Sequence, residues 1–287
     1  MAEIVLTGHT GFLGQNLKRV RDKKNLFTHL WDLRHESWRE FVEGRSESFA
    51  ECAIVHLASE TNVVESWNHP GQTIGNNLRC LLEVLEFCRN TGGRLVIAST
   101  AFLKDQKITS LDEEESPYSP YHLSKAIGEE LCRYFNKEYG VHCQNLRLFS
   151  IYGKGQPASS LVPTVIQQVT GSCNEIRVQS VDAIRDFIHV DDVINAIESA
   201  ITINPPGFSS YQIGSGQGTS VKELIALIQS IAGSDKPVAT VGGFHEKDRK
   251  RVVAQTDECA ALGWRAEISL REGLQMLLPR FKSSLGT

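Results

Sequence analysis

The chain opens on an apolar run, EIVLT (residues 3–7), that reads as a short buried strand and passes into a helical pattern carrying Leu17 and Val20. LFTHLWD (26–32) reads as a second strand, and one helical crossover at about residues 36–49 leads to a third, AIVHLAS (53–59), as parallel neighbours require. A helix follows over 73–90, with Leu78, Leu81, Leu82, Leu85 and Cys88 expected on its inner face and Gly92 and Gly93 closing it. RLVIAST (94–100) is a continuous apolar strand ending in hydroxyls, which places Ser99 and Thr100 at the carboxyl edge of a sheet. Ser119 as N-cap and Pro120 as first helical residue start the next helix. Its expected buried stripe is Leu123, Ile127, Leu131, Tyr134 and Phe135; Gly140 ends it, and CQNLRLF (143–149) is a further buried strand. Strands alternating with helices in this way predict an α/β fold built on a doubly wound parallel sheet.

From residue 150 to 183 the chain turns loop-rich around one short helix, VPTVIQQV, and DFIHV with Asp191 and Asp192 returns to the main body. The helix VINAIESAI stops before Pro205 and Pro206. Ser220 with Glu223, and Ser269 with Glu272, form two capping boxes that start late helices. The expected organisation is a body of residues 1–150 with a return segment 184–204, and a small C-terminal α/β lobe from 151–183 and 205–287.

Two stretches carry candidate chemistry. Gly8, Gly11 and Gly14 in TGHTGFLG sit between the first strand and its helix, where glycines admit a pyrophosphate against the backbone and the helix N-terminus supplies N–H groups and partial positive charge. Asp32, eighteen residues beyond Gly14, ends the second strand at the distance where an acid accepts hydrogen bonds from ribose hydroxyls, which argues for NAD. Arg34, just past it, is suited to a 2′-phosphate, so NADP stands as the alternative. The second stretch places Tyr121 four residues before Lys125 on one helical face. A cation held near a phenol favours the phenolate, so Tyr121 is expected to exchange a proton near neutral pH, as oxidation of an alcohol needs. The acidic run from Asp112 to Glu115 reads as a solvated loop.

At 287 residues and 41% hydrophobic content the chain can bury one large core with a smaller attached lobe. A net charge of -4 offers no basic field for nucleic acid or an anionic membrane surface. No apolar run reaches membrane-spanning length, and strand residues from Glu3 onward leave no room for a signal peptide, so the expectation is a cytoplasmic protein. Seven cysteines without a CxxC pair read as reduced core thiols, and nine histidines without paired-ligand spacing predict no metal.

Taken in order, TGHTGFLG, VHLASETNVVESWNHP, the Asn76 region, VIAST, SPYHLSK, LRLFSIYG, RDFIHVDD, YQIGSGQGTSVKEL and ALGW resemble the extended short-chain dehydrogenase/reductase family, in particular its nucleotide-sugar epimerases, dehydratases and 4-ketoreductases. The resemblance implies a Rossmann-type fold with a nucleotide-sugar-binding lobe. It implies that Tyr121 is the acid/base, that Lys125 lowers its pKa and holds the nicotinamide ribose, and that Thr100 takes the third catalytic position. On the cofactor side it implies Gly8, Gly11, Phe12, Leu13 and Gly14 at the pyrophosphate, with Asp32, Leu57, Ala58, Ser59, Asn76 and Ser99 alongside. Thr61, Ser150, Ser160, Leu161, Arg185 and Arg249 fall where such enzymes contact the sugar nucleotide. Where dehydratases carry an Asp–Glu pair this chain has Ala101 and Phe102, which disfavours elimination of water. LKD stands at 103–105, Ser150 replaces a common asparagine, and a strand many such proteins have between Asp32 and Ile54 is missing, which predicts a shortened sheet edge. The implied activity is an NAD-dependent 4-epimerase acting through a 4-keto sugar. The alternatives are an NAD(P)H-dependent 4-keto-6-deoxysugar reductase and, from another class, a dinucleotide-binding protein without turnover. The family's pairing of the helices at about 74–90 and 120–139 implies a homodimer.

Overall fold

Apolar runs of four to seven residues, too short for helices, become the inner strands. The computed structural model describes residues 3–43, 45, 49–50, 52–103, 119–242 and 250–284. In chain order the first elements are β1 (Ile4–Thr7), α1 (Phe12–Lys23), β2 (Thr28–Trp31), α2 (Trp38–Val42), β3 (Ala53–His56), α3 (Val63–Asn68), α4 (Pro70–Thr91), β4 (Arg94–Thr100), α5 (Pro120–Tyr139) and β5 (Cys143–Leu148). There follow β6 (Ser150–Tyr152), α6 (Leu161–Thr170), β7 (Ile176–Val178), β8 (Ile184–His189), α7 (Val190–Thr202), β9 (Phe208–Ile213), β10 (Gly218–Ser220), α8 (Val221–Ala232), β11 (Val238–Thr240), β12 (Arg251–Val252) and α9 (Leu270–Ser284). The chain divides into two compact units: Met1–Leu148 with Ile194–Gln212 and Ala261–Trp264, and Phe149–Val193 with Ile213–Ala260 and Arg265–Thr287. The segment returning to the first unit therefore starts later than residue 184.

The first unit holds a six-stranded sheet in the order β2-β1-β3-β4-β5-β9, and the pairs from β2 to β5 are parallel. Chain order reverses at β1, whose Ile4 pairs with Thr28 on one side and Ala53 on the other, so loops diverge at that carboxyl edge and leave a crevice. Among the described residues β2 is the outer strand, partly exposed, as the missing strand predicts. The crossover helix is shorter than expected, five residues at Trp38–Val42, capped by a Ser37–Glu40 box. One sheet face is apolar at its lower half, where Ile54, Leu95 and Cys143 meet Leu81, Leu85, Cys88, Cys132 and Phe135. Fully burying each such aliphatic or aromatic side chain contributes roughly 1.5–3 kcal/mol.

Helix α5 starts and stops as expected: the Ser119 hydroxyl accepts from the His122 N–H, Pro120 takes the first position, and Gly140 closes it at φ 71°. Its buried face is different. His122, Ser124, Ala126, Gly128, Glu129, Cys132 and Phe135 face inward, while Leu123, Ile127 and Leu131 are half-buried and Tyr134 is 52% exposed. Close packing on α4 demands small residues: a Cβ at Gly128 would stand 3.1 Å from Leu81 Cδ2. Leu82 on α4, expected inward, is likewise 39% exposed, and Leu78 is half-buried.

In the second unit β8 pairs with β6 and β12 in parallel and with β10 antiparallel, while β7 pairs with β11. Helices α6, α8 and α9 bury Val165, Ile166, Leu224, Ile228 and Leu274 against these strands. Both predicted capping boxes form, with Ser220 N–H 2.7 Å from Glu223 Oε2 and Ser269 N–H 3.0 Å from Glu272 Oε2. Asp186 is fully buried and accepts from the Ser215 N–H and hydroxyl and from the Gly216 and Ala254 N–H groups, which satisfies its charge without a cation.

Candidate active site

At the β1–α1 turn two of the three glycines, Gly8 and Gly14, are needed for space. Gly8 has φ +71°, and a Cβ there would lie 2.5 Å from Ala58 N; a Cβ at Gly14 would lie 2.2 Å from the Gly8 carbonyl oxygen, to which Gly11 N–H donates at 3.0 Å. Gly11 is the N-cap of α1 and supplies no side-chain oxygen, so the first N–H groups of the helix, at Phe12 and Leu13, keep their donors for an anion. Beside this turn a cavity of about 340 Å³ is lined by Gly8, Gly11, Asp32, Leu57, Ala58, Ser59 and Asn76, so the turn, the end of β2, the β3 loop and α4 meet around it. A narrow wall of this sort, a glycine cradle and an uncapped helix N-terminus fit a dinucleotide.

Asp32 is engaged by Arg34: Nε lies 2.9 Å from Oδ1 and Nη2 2.6 Å from Oδ2, and the guanidinium holds the carboxyl well below its usual range. Arg79 also lines the cavity. Asn76 Nδ2 donates to Glu60 Oε1 at 2.6 Å. Its neighbour Asn77, not singled out by sequence, is buried and ties the β3 loop to α5: Oδ1 accepts from Glu60 N–H at 2.7 Å, and Nδ2 donates to Glu60 O and to Ser124 Oγ. The available signal was an amide at a core position of α4, between Thr73 and Leu81.

Thr100 ends β4, and its hydroxyl stands near enough to Tyr121 to favour the phenolate. Lys125 Nζ stands 5.9 Å from the Tyr121 ring centroid and donates to Ala98 O at 2.9 Å. The expectation of a phenol titrating near neutrality is corrected: burial pushes Tyr121 up to about 12, offset only in part by Thr100. Burial likewise pushes Lys125 down to about 8, with Cys132 and Glu129 opposing. Desolvation dominates both groups, and the ammonium is engaged by the Ala98 carbonyl. Ser99, on the opposite side of its strand from Thr100, gives its hydroxyl to Glu129 Oε1 at 2.7 Å. His56, at the end of β3, bonds Thr7 Oγ through Nδ1 at 2.8 Å, and burial pushes it down to about 3.

Thr61 is exposed in the loop before α3. Ser150, Ser160, Leu161 and Arg185 lie in the second unit. Ser150 opens β6, Ser160 is the N-cap of α6 without a side-chain cap bond, and Leu161 is the first residue of that helix. Arg185, half-buried in β8, donates from Nη1 to Ile184 O at 3.0 Å. Arg249, Asp105 and the Asp112–Glu115 run lie outside the described residues. Among the described residues no group of three His, Cys, Asp or Glu side chains is placed to hold a metal, and no helix is long and apolar enough to cross a membrane.

Residues 4–214 match the NAD dependent epimerase/dehydratase family. The chain is 24% identical to the CDP-abequose synthase of Salmonella typhimurium over 96% of its own length and 97% of that protein's, and 25% identical to the GDP-6-deoxy-D-mannose reductase of Pseudomonas aeruginosa over 98% and 97%. Among solved structures it superposes on the UDP-glucose 4-epimerase of Thermotoga maritima with UDP-glucose at a TM-score of 0.84, with 22% identity and 99% of both chains covered, which is a likeness of fold.

Proposed function

The chain belongs to the NAD dependent epimerase/dehydratase family, and from that premise we propose that it is a nucleotide-sugar 4-epimerase working through a transient 4-keto sugar. The observation that carries this reading is the grouping of Thr100 at the carboxyl end of β4 with Tyr121 and, one helical turn further on, Lys125, whose Nζ stands 5.9 Å from the Tyr121 ring centroid. NAD, when bound, takes up a hydride and gives it back. Tyr121 removes the proton of the sugar hydroxyl at C4 as the carbonyl forms and returns it when the carbonyl is reduced. The cation of Lys125 lowers the cost of the phenolate and holds the cofactor ribose, and Thr100 orients the phenol. Epimerisation follows if the keto sugar turns over before reduction. Ala101 and Phe102 offer neither acid nor base, which disfavours a dehydratase.

Asp32, at the cavity wall, suits the ribose hydroxyls of NAD, and Leu57, Ala58, Ser59 and Asn76 line the same side. The nucleotide-sugar contacts are assigned to Thr61, Ser150, Ser160, Leu161, Arg185 and Arg249. A homodimer through α4 and α5 is supported by the apolar surface left at Leu82 and Tyr134; a monomeric mass in solution contradicts it.

One observation favours a second reading. Arg34 already stands over Asp32, with Arg79 in the same cavity, and two guanidiniums suit a 2′-phosphate. That favours an NADPH-dependent 4-keto-sugar reductase. Purification without added cofactor, denaturation and mass spectrometry of the released nucleotide separates the two. Near-stoichiometric NAD supports the epimerase; an empty protein that binds NADPH better than NADH supports the reductase.

A further inference from the structure

Within the first unit, lined in part by Lys125, lies a second and smaller space of about 10 Å³. It is bounded by His56 of β3, Ser99 of β4, Asn145 of β5 and Lys125 and Glu129 of α5, with Ser59 from the β3 loop. That volume suits a single water, which needs two to four polar partners. The partners are there. Asn145 is fully buried and among the described residues its Oδ1 has no hydrogen-bond partner, although its Nδ2 donates to Ser210; the buried Ser59 Oγ is likewise unpartnered among them. Lys125 spends one of its three N–H bonds on Ala98 O, which leaves donors for the chamber. An unsatisfied buried acceptor is costly, and two on residues that line one small void together with Lys125 are best explained by a water.

Glu129 lies one turn beyond Lys125 on the same face of α5. Its carboxylate is held by Arg147, with Nε 3.1 Å from Oε1 and Nη2 2.8 Å from Oε2, and by the Ser99 hydroxyl. Ser99 and Arg147 are register partners across β4 and β5, so this one carboxylate fixes α5 to the two strands directly below Lys125. The titratable groups facing Lys125 are Tyr121, Glu129 and Cys132 on its own helix, His56 from β3 and, through Glu129, Arg147 from β5; α4 presents only Asn77 and Leu81 to the chamber. Glu129 is the sole anion in this set. His56 is neutral, and Tyr121 and Cys132 are held protonated by burial or by neighbours.

We propose that the chamber holds one water joining the Lys125 ammonium to Asn145 Oδ1, and that Glu129 is a positioning residue that, with this water, keeps the half-buried Lys125 cationic. The catalytic meaning rests on the role assigned to Lys125 above, but the test reads Lys125 directly and needs no substrate.

A crystal structure of the wild-type protein should show a water about 3 Å from both Lys125 Nζ and Asn145 Oδ1; an empty chamber overturns the water. Lysine 13Cε shifts followed against pH, with the Lys125 signal assigned by its loss in Lys125→Met, should give a midpoint that falls by about one unit or more in Glu129→Gln. The double variant Glu129→Gln/Arg147→Gln, which removes the stranded cation as well, should bring the midpoint back towards the wild-type value. Asn145→Val leaves the Glu129–Arg147 pair intact and should lower the midpoint by removing the water's acceptor. A midpoint unmoved in folded Glu129→Gln overturns the role of Glu129, and one unmoved in Asn145→Val overturns that of the water. A failure of the epimerase reading would leave all of these results unchanged.

Discussion

Arg34 closes on Asp32 with both carboxylate oxygens taken, Nε on Oδ1 at 2.9 Å and Nη2 on Oδ2 at 2.6 Å. The carboxylate that would accept the hydroxyls of an NAD ribose is thus already occupied. The guanidinium side chain is 66% exposed, so the pair is screened by solvent and contributes little, and ribose hydroxyls can displace it. Arg34→Ala should leave NAD affinity equal or improved and lower NADPH affinity by about tenfold, whereas Asp32→Ala should weaken NAD by about tenfold. Isothermal titration of both nucleotides against both variants measures this; loss of NAD binding in Arg34→Ala would contradict it.

Tyr121 is expected to be indispensable for turnover and dispensable for cofactor binding. Tyr121→Phe removes the proton donor and keeps the ring, so the rate should fall by roughly 10²–10⁴ with NAD affinity within about twofold of wild type. Burial pushes the phenol up to about 12, and a positive charge brought beside it by bound cofactor should lower it. A tyrosinate absorbance titration with and without NAD should show the midpoint moving down on binding.

His56 gives the fold an acid-sensitive point. It is 3% exposed, and its folded value of about 3 lies below the unfolded 6.5, so the unfolded chain binds the extra proton between these values. Stability from this group is therefore complete above pH 6.5 and is lost as pH falls towards 3, at up to about 1.4 kcal/mol per unit. Urea unfolding at pH 7, 6 and 5 should show that slope, and His56→Asn should flatten it. An unchanged slope in the variant would assign the acid sensitivity elsewhere.

The glycines differ in what they tolerate. Gly14→Ala sets a Cβ 2.2 Å from a backbone oxygen in the turn that holds the dinucleotide, whereas Gly75, inside α4, has nothing within 4 Å. Gly14→Ala should reduce NAD affinity by more than about tenfold, and Gly75→Ala should raise stability by about 0.5–1 kcal/mol through its helix propensity. Calorimetric binding and thermal melts read the two effects separately.

Much of this was legible because it is local. Ser119, Pro120 and Gly140 bound α5 through contacts within a few residues, and the glycine turn, the Tyr121–Lys125 spacing and the two late capping boxes are likewise short-range. What the sequence concealed depends on partners far along the chain. The apolar stripe from Leu123 to Tyr134 looked like the core face, yet the face that packs is set by how closely Leu81 approaches Gly128. Ser99 looked like a companion of Thr100, but alternation along β4 turns it towards Glu129 and Arg147, thirty and forty-eight residues away in sequence. The acidity expected of Tyr121 failed because spacing reports which residues are neighbours and says nothing of how much water they lose.

The central claim is that Tyr121 serves reversible oxidation at C4 of a nucleotide sugar, and proton NMR of UDP-, dTDP- and GDP-hexoses incubated with the protein alone tests it most directly. The account predicts that at least one sugar equilibrates with its 4-epimer without added reductant, and that Tyr121→Phe stops the exchange. No epimer from any of them, with a 4-keto sugar reduced only when NADPH is supplied, would contradict the epimerase; no conversion of either kind would reduce the protein to a dinucleotide binder.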